Sequence, residues 1–238
     1  MKNPISSYWQ NLSLKQAWIL TVAGILLEVP VRWILRPDIP FLRPGNPWFN
    51  LPLRIGIEAG MVFVLFATAF AIRAPLTAVG IPRRRWTLWE WSALAIVGAI
   101  ELLVVIILVG DRWPRIWSAG LMGQGLLWVF SEFLFGVNQE TGSRGLIMSG
   151  LLRITGWKLA YVLNTLVFLA GPLHGPGLVR MLDKNPGGVF GLLAGVVVSG
   201  LFFSWLRHRT DNVVLCGVLH GIVNGFMNGA AFTLRANQ

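Results

Sequence analysis

What most constrains this chain is the recurrence of apolar stretches long enough to cross a membrane, with short polar connections between them. A transmembrane helix needs roughly 20 mostly apolar residues to traverse about 30 Å of hydrocarbon. In lipid every backbone polar group must be bonded internally, which leaves helices and closed barrels as the spanning structures. Stretches of that kind fall near 17–36, 54–73, 87–110, 118–137, 157–173, 187–206 and 213–232. A further segment, 139–155, carries Glu140 and Arg144 ahead of an apolar run, and reads either as an extension of the fourth span or as a separate, partly buried helix. The expected fold is all-α, a polytopic transmembrane helix bundle of seven or eight spans, forming one integral membrane domain over residues 1–238.

With 55% hydrophobic and 13% charged residues and a mean hydropathy of +0.64, the chain lies outside the range of soluble domains of this length. Its net charge of +10 comes from Lys and Arg scattered through short loops and span ends. That pattern suits lipid headgroups and not nucleic acid, so no nucleic-acid partner is expected. A single cysteine, Cys216, excludes an intrachain disulfide. A polar stretch from Met1 to Gln16 leads into apolar sequence with no small-residue cleavage site, which reads as a retained first span. The connection from Arg36 to Leu53 has five prolines beside Trp48 and Phe49, as in an ordered interfacial loop, and Arg83, Arg84 and Arg85 beside Trp86 mark a membrane surface. The expected location is a bacterial inner membrane, crossed several times, with a slight excess of Lys and Arg favouring a cytoplasmic N-terminus. The expected partners are membrane lipid and a membrane peptide or protein; oligomeric state is left open.

Two late spans carry small residues every four positions: Gly187, Gly191, Gly195 and Ser199 in one, and Gly217, Gly221, Gly225 and Gly229 in the other. Such stripes let helix backbones approach closely in lipid, and tight helix packing is expected along both.

Ionisable groups inside spans are costly and commonly functional. The candidates are Glu28, Glu58, Glu101, Glu132, Glu140, Arg144, His174 and His220, with Asn224 and Asn228 as neutral companions. Glu28 and Glu101, near span middles, are expected to be structural. His220, Asn224 and Asn228 recur at intervals of four, one polar ridge on a helix. A His and an Asn one turn apart can aim two donors at one oxygen, as an oxyanion site requires. Glu140 and Arg144 are also one turn apart and are expected to form a buried ion pair.

For an intramembrane protease, elimination narrows the chemistry. An aspartyl type needs two intramembrane Asp, whereas Asp38, Asp111, Asp183 and Asp211 fall in loops; a zinc type would show His-Glu-x-x-His, which is absent; a rhomboid-like serine type wants Gly-x-Ser-Gly, of which only Ser149-Gly150 is present. A water-activating site of glutamate and histidine remains. No cofactor is expected, zinc being the one metal these side chains would admit.

These residues resemble the CAAX prenyl protease 2 and bacteriocin-processing family (CPBP, or Abi) of intramembrane endopeptidases, over roughly residues 75–230. Leu-Thr-Ala-Val-Gly-Ile-Pro-Arg-Arg at 76–84 is similar to the family's connection before its core, and the Arg-His-Arg-Thr turn at 207–210, ahead of the third motif, is similar to the family as well. The first motif, Glu-Glu-x-x-x-Arg-Gly, appears as Gln139-Glu140-x-x-x-Arg144-Gly145; the second, Phe-x-x-x-His, ends at His174; the third, His-x-x-x-Asn, is His220 to Asn224. The resemblance implies that the leading carboxylate and His174 activate a water, that His220 and Asn224 hold the oxyanion, and that Glu140 and Arg144 brace the site.

Two positions depart from the pattern. Ala170 stands where the second motif has Phe, with Phe168 nearby, and the leading carboxylate is Gln139. An amide cannot take a proton at neutral pH, so the expected base is missing. Three outcomes are open: Glu140 takes over, Glu132 supplies a carboxylate from seven residues earlier on the same helix face, or the chain is a non-catalytic member of the family. The function expected is a glutamate-type endopeptidase acting on membrane-associated or lipidated peptides. The alternative is a pseudoprotease serving as a membrane scaffold, a binding protein or a subunit of a larger complex. A transporter is disfavoured by the lack of an internal repeat.

Overall fold

A computed structural model of the protein describes residues 8–31, 51–109, 122–171, 182 and 185–225. Its regular elements are helices: α1 (Leu14–Leu26), α2 (Leu51–Ala71), α3 (Leu88–Val109), α4 (Met122–Glu140), α5 (Met148–Thr155), α6 (Trp157–Ala170), α7 (Pro186–Thr210) and α8 (Val213–Asn224). A 3-10 turn, Tyr8–Asn11, precedes α1, and two π-helical segments, Leu27–Val31 and Thr141–Ile147, follow α1 and α4. Leu14–Val31, Leu51–Ala71 and Gly187–Thr210 are long and apolar enough to cross a membrane, and α6 and α8 are shorter apolar helices. The fold is all-α and the protein is a membrane protein.

The ends of these helices follow from local chemistry. Ser13 caps α1 in a reciprocal box with Gln16, its Oγ accepting from Gln16 N at 3.2 Å while Gln16 Oε1 accepts from Ser13 N at 3.0 Å. Thr87 and Glu90 do the same for α3, and Arg84 grips the Glu90 carboxylate with two bonds, at 2.6 and 2.9 Å. Asn185 caps α7 ahead of Pro186, and Asp211 ends it in the left-handed conformation. Gly156, at φ 79°, breaks the chain between α5 and α6.

The segment 139–155 extends the fourth span: helical turns are unbroken from Met122 to Thr155, passing through the π-helical stretch at 141–147. A π-turn wedges one extra residue into a helix and is frequent at functional sites. Here it begins inside the first motif, directly after Glu140, and runs through Gly145 to Ile147.

The chain divides into two units. One consists of Met1–Arg36, Val64–Arg83 and Thr141–Cys216, the other of Pro37–Phe63, Arg84–Glu140 and Gly217–Gln238. In the first, α1 packs against α5 and the π-helical stretch, and α6 lies between α5 and α7. Its core joins Ala17, Leu20, Leu65, Ala69, Val79 and Leu146, with a neighbouring cluster around Ile147, Met148 and Leu152. Arg207, fully buried, ties this unit together. It pairs with Asp211 and donates to Ala78 O and Ser149 Oγ at 3.2 Å each. Gly80, at φ 92°, lies so close that a Cβ there would meet Arg207 Nε at 2.5 Å. The two segments singled out in the sequence, 76–84 and 207–210, thus meet through one guanidinium.

The glycine stripes behave differently from one another. Along α8 the expected close packing is present: a Cβ at Gly221 would meet Phe133 O at 2.8 Å, and one at Gly225 would meet Val129 O at 3.0 Å. Along α7 it is not seen among the described residues, where a Cβ at Gly191 or Gly195 meets nothing within 4 Å and both residues are exposed. The glycine of α7 that is crowded is Gly200, outside the stripe, against Thr165 of α6. Small residues permit close approach without requiring a partner, and within this unit α7 meets α6 on another face. Gly229 and Asn228 lie outside the described residues.

Candidate active site

The second unit is organised around α4, whose two buried faces carry the functional side chains. At 3.6 residues per turn, Trp128, Glu132, Phe135 and Gln139 form one stripe and Val129, Phe133, Gly136 and Glu140 another, about 100° away.

The second stripe faces α8. Gly136 and Gly221 meet backbone to backbone, a Cβ at Gly136 falling 2.6 Å from Gly221 N. One turn further on, His220 Nδ1 and Glu140 Oε1 lie 2.7 Å apart, with Glu140 fully buried. The glycine contact brings the backbones close enough for this bond to form. Asn224, half-buried, follows His220 by one turn on α8.

The first stripe faces α2. Arg54 pairs with Glu132, and its guanidinium carbon lies 5.7 Å from the ring centres of both Trp128 and Phe135. One turn along α2, Glu58 Oε2 accepts a 2.6 Å bond from Asn138 Nδ2, and both residues are buried. Gln139 is buried beside Asn138 on this side of α4. Because α4 is continuous, Glu132 and Gln139 do share a face; but Glu132 holds a guanidinium, and taking a proton would break that pair.

In the first unit Arg144 is fully buried. It donates to Gly200 O at 3.1 Å and Ser143 Oγ at 3.2 Å, and its guanidinium stacks 4.5 Å from the ring centre of Phe168. Ser143 Oγ donates to Asn164 Oδ1 at 3.1 Å, and Asn164 Nδ2 donates to Ser204 Oγ at 3.3 Å. Phe168, out of place in the second motif, is thus the aromatic partner of Arg144. The carboxylate of Glu28 lies directly over Gly142, where a Cβ would come within 2.5 Å of its Cδ.

The structure therefore brings Glu140 together with His220 and Glu132 with Arg54, and places Arg144 in a buried network with Ser143, Gly200 and Phe168. His174 lies outside the described residues. Sequence reasoning passed over Arg54 and Asn138, although Arg54 and Glu58, one turn apart at the start of an apolar helix, were a readable signal. It also passed over Ser143, Asn164 and Ser204, whose hydroxyl and amide groups have no distinctive spacing. Among the described residues no three His, Cys, Asp or Glu side chains are grouped so as to hold a metal ion.

An all-helical membrane protein with a buried carboxylate–imidazole pair and a buried arginine on one long helix is the class these features define. Residues 121–226 match the family described as type II CAAX prenyl endopeptidase Rce1-like. At the level of that family the function is of the intramembrane-protease type. No curated protein matches the chain, and no solved structure does.

Proposed function

We propose that the protein is a multi-pass membrane endopeptidase that hydrolyses membrane-associated or lipidated peptides, with Glu140 and His220 at the centre of the reaction. The observation that carries this reading is the 2.7 Å Glu140–His220 bond, buried on the helix of the first motif. A carboxylate that accepts from Nδ1 fixes the ring orientation, and when both ring nitrogens carry a proton Nε2–H is left to be donated elsewhere. Donated to the carbonyl oxygen of a bound peptide, together with the Asn224 amide one turn on, it stabilises the tetrahedral oxyanion. Glu140 thus serves the oxyanion through His220. Arg144, locked by Phe168, Ser143 and Gly200, holds the π-helical turn that follows. Gln139 can hydrogen-bond a water but cannot take its proton, so the base lies elsewhere.

The test is cleavage of a membrane-peptide library by the purified protein in lipid. The wild type should cleave, and His220→Ala and Glu140→Gln should each lose about 10²- to 10⁴-fold in rate. One observation favours a second reading, a non-catalytic member that holds a membrane peptide: the amide at position 139. An inert wild type that binds those peptides would establish it in place of the peptidase.

A further inference from the structure

We infer that Asn164 of α6 is a positioning residue for the reaction: through Ser143 and Arg144 it fixes the π-helical turn of the first motif in the register that sets Glu140 against His220. The inference rests on the peptidase reading above and names what keeps the central bond of that reading in place.

The contacts that lead to it all lie in the first unit. Asn164 and Phe168 are one turn apart on α6, and Gly200 and Ser204 are one turn apart on α7; Ser143 bonds Asn164, while Arg144 engages Phe168 and Gly200. The hydrogen bonds run in one direction. Arg144 can only donate, so Ser143 Oγ, which accepts from its NH1 at 3.2 Å, has its own proton to give, and gives it to Asn164 Oδ1 at 3.1 Å. That fixes the orientation of the amide, whose Nδ2 donates to Ser204 Oγ at 3.3 Å. Ser143, Asn164 and Ser204 are all buried. A Cβ at Gly200 would meet Thr165 Cγ2 at 2.9 Å, so α6 and α7 are close enough for one amide to reach from the motif to α7. Such an amide on an apolar helix acts as a polar tie between helices.

Register is what this network can transmit. Consecutive side chains of an α-helix diverge by about 100°, yet Ser143 and Arg144 bond each other and both engage the α6–α7 pair. They do so in the stretch where the turn is widened by one residue. Were that turn to close to an α-helix, the residue before it would rotate by about 100° relative to those after it. Glu140 is that residue. Rotated so far, its carboxylate would lose the 2.7 Å bond to His220 Nδ1.

The experiment uses the full chain in lipid with nitrogen-labelled histidine, the His220 signals being assigned by their loss in His220→Ala. Asn164→Leu, similar in volume but with neither donor nor acceptor, should lose about 10²-fold in kcat, as for a misplacement near 1 Å. In the same variant the His220 Nδ1 signal should move toward that of an imidazole without a carboxylate partner. Ser143→Ala, which removes a single oxygen, should act in the same direction and carries the test if Asn164→Leu does not fold. The two together should lose no more than the larger single loss, because both cut one chain of bonds. Asp211→Ala is the control for instability alone: it strips the buried Arg207 of its partner and should leave the His220 signal of the folded protein where it is in wild type. A wild-type rate or an unmoved His220 signal in Asn164→Leu and Ser143→Ala overturns the assignment, and so does an equal displacement of that signal in Asp211→Ala. A wild type that cleaves nothing removes the peptidase reading alone, since the His220 signal still decides whether Asn164 sets the Glu140 bond.

Discussion

Replacing Gly136 by Ala tests how α8 is held against α4. The added Cβ would lie 2.6 Å from Gly221 N, 2.7 Å from Gly221 Cα and 2.8 Å from His220 C, all of them backbone atoms that no rotamer change can withdraw. The first of these falls about 0.8 Å inside the 3.4 Å at which ordinary contact begins, so α8 must move off by roughly that amount. Moved as a rigid rod, it would stretch the Glu140–His220 bond from 2.7 Å to about 3.5 Å, too long for a hydrogen bond. Overpacking costs about 1–3 kcal/mol, and a buried hydrogen bond to a charged group is worth about 1.5–3 kcal/mol, so a loss of about 3 kcal/mol or more is expected. Peptide cleavage should fall about 10²-fold, as for a misplacement near 1 Å. The control is Gly217→Ala, whose Cβ would meet Val137 Cα at 3.4 Å and should be tolerated. Thermal melting in detergent and the cleavage rate are measured side by side. A Gly136→Ala protein that melts and cleaves like wild type, or a Gly217→Ala protein equally damaged, refutes the argument.

Asp211→Ala strips the fully buried Arg207 of its carboxylate partner and should destabilise by about 3–5 kcal/mol, seen as a large drop in melting temperature. Gly142→Ala should destabilise by about 1–3 kcal/mol by overlapping the Glu28 carboxylate, and Glu28→Ala in the same chain should recover part of that loss, a coupling read from a double-mutant cycle of melts. Gly191→Ala and Gly195→Ala, on an open helix face, should leave the melting temperature unchanged or raise it, the gain being about 0.5–1 kcal/mol of helix propensity; a fall would mean that the face is packed in the protein as it melts.

Helix positions were legible because hydrocarbon thickness sets a length that apolar runs must meet. α2, α3 and α7 begin and end within a few residues of the stretches read from sequence, and the described part of α8 begins at the expected residue. Glu140 and His220 were legible because their neighbours have motif spacing, though the sequence gave no sign of the bond between them. That bond depends on how close α4 and α8 come, which takes a glycine on each: the stripe of α8 announced one half, and Gly136 is a single residue with no pattern around it. The stripe of α7 was misread for the complementary reason, since no residue of the described part of its unit comes up to Gly191 or Gly195. The π-helical turn was illegible because its widened register has no residue signature, and Arg54 with Glu58 reads in sequence as two charges near the start of a span.

The helix that contributes Arg54 and Glu58 lies upstream of the segment that matches the protease family. Two relatives with the same three motifs could therefore differ in what faces α4 from α2, and exchanging α2 between them would alter the buried charge beside position 139 while leaving every motif residue in place. Inheritance of the motif and inheritance of its electrostatic surroundings are separable in such a chain.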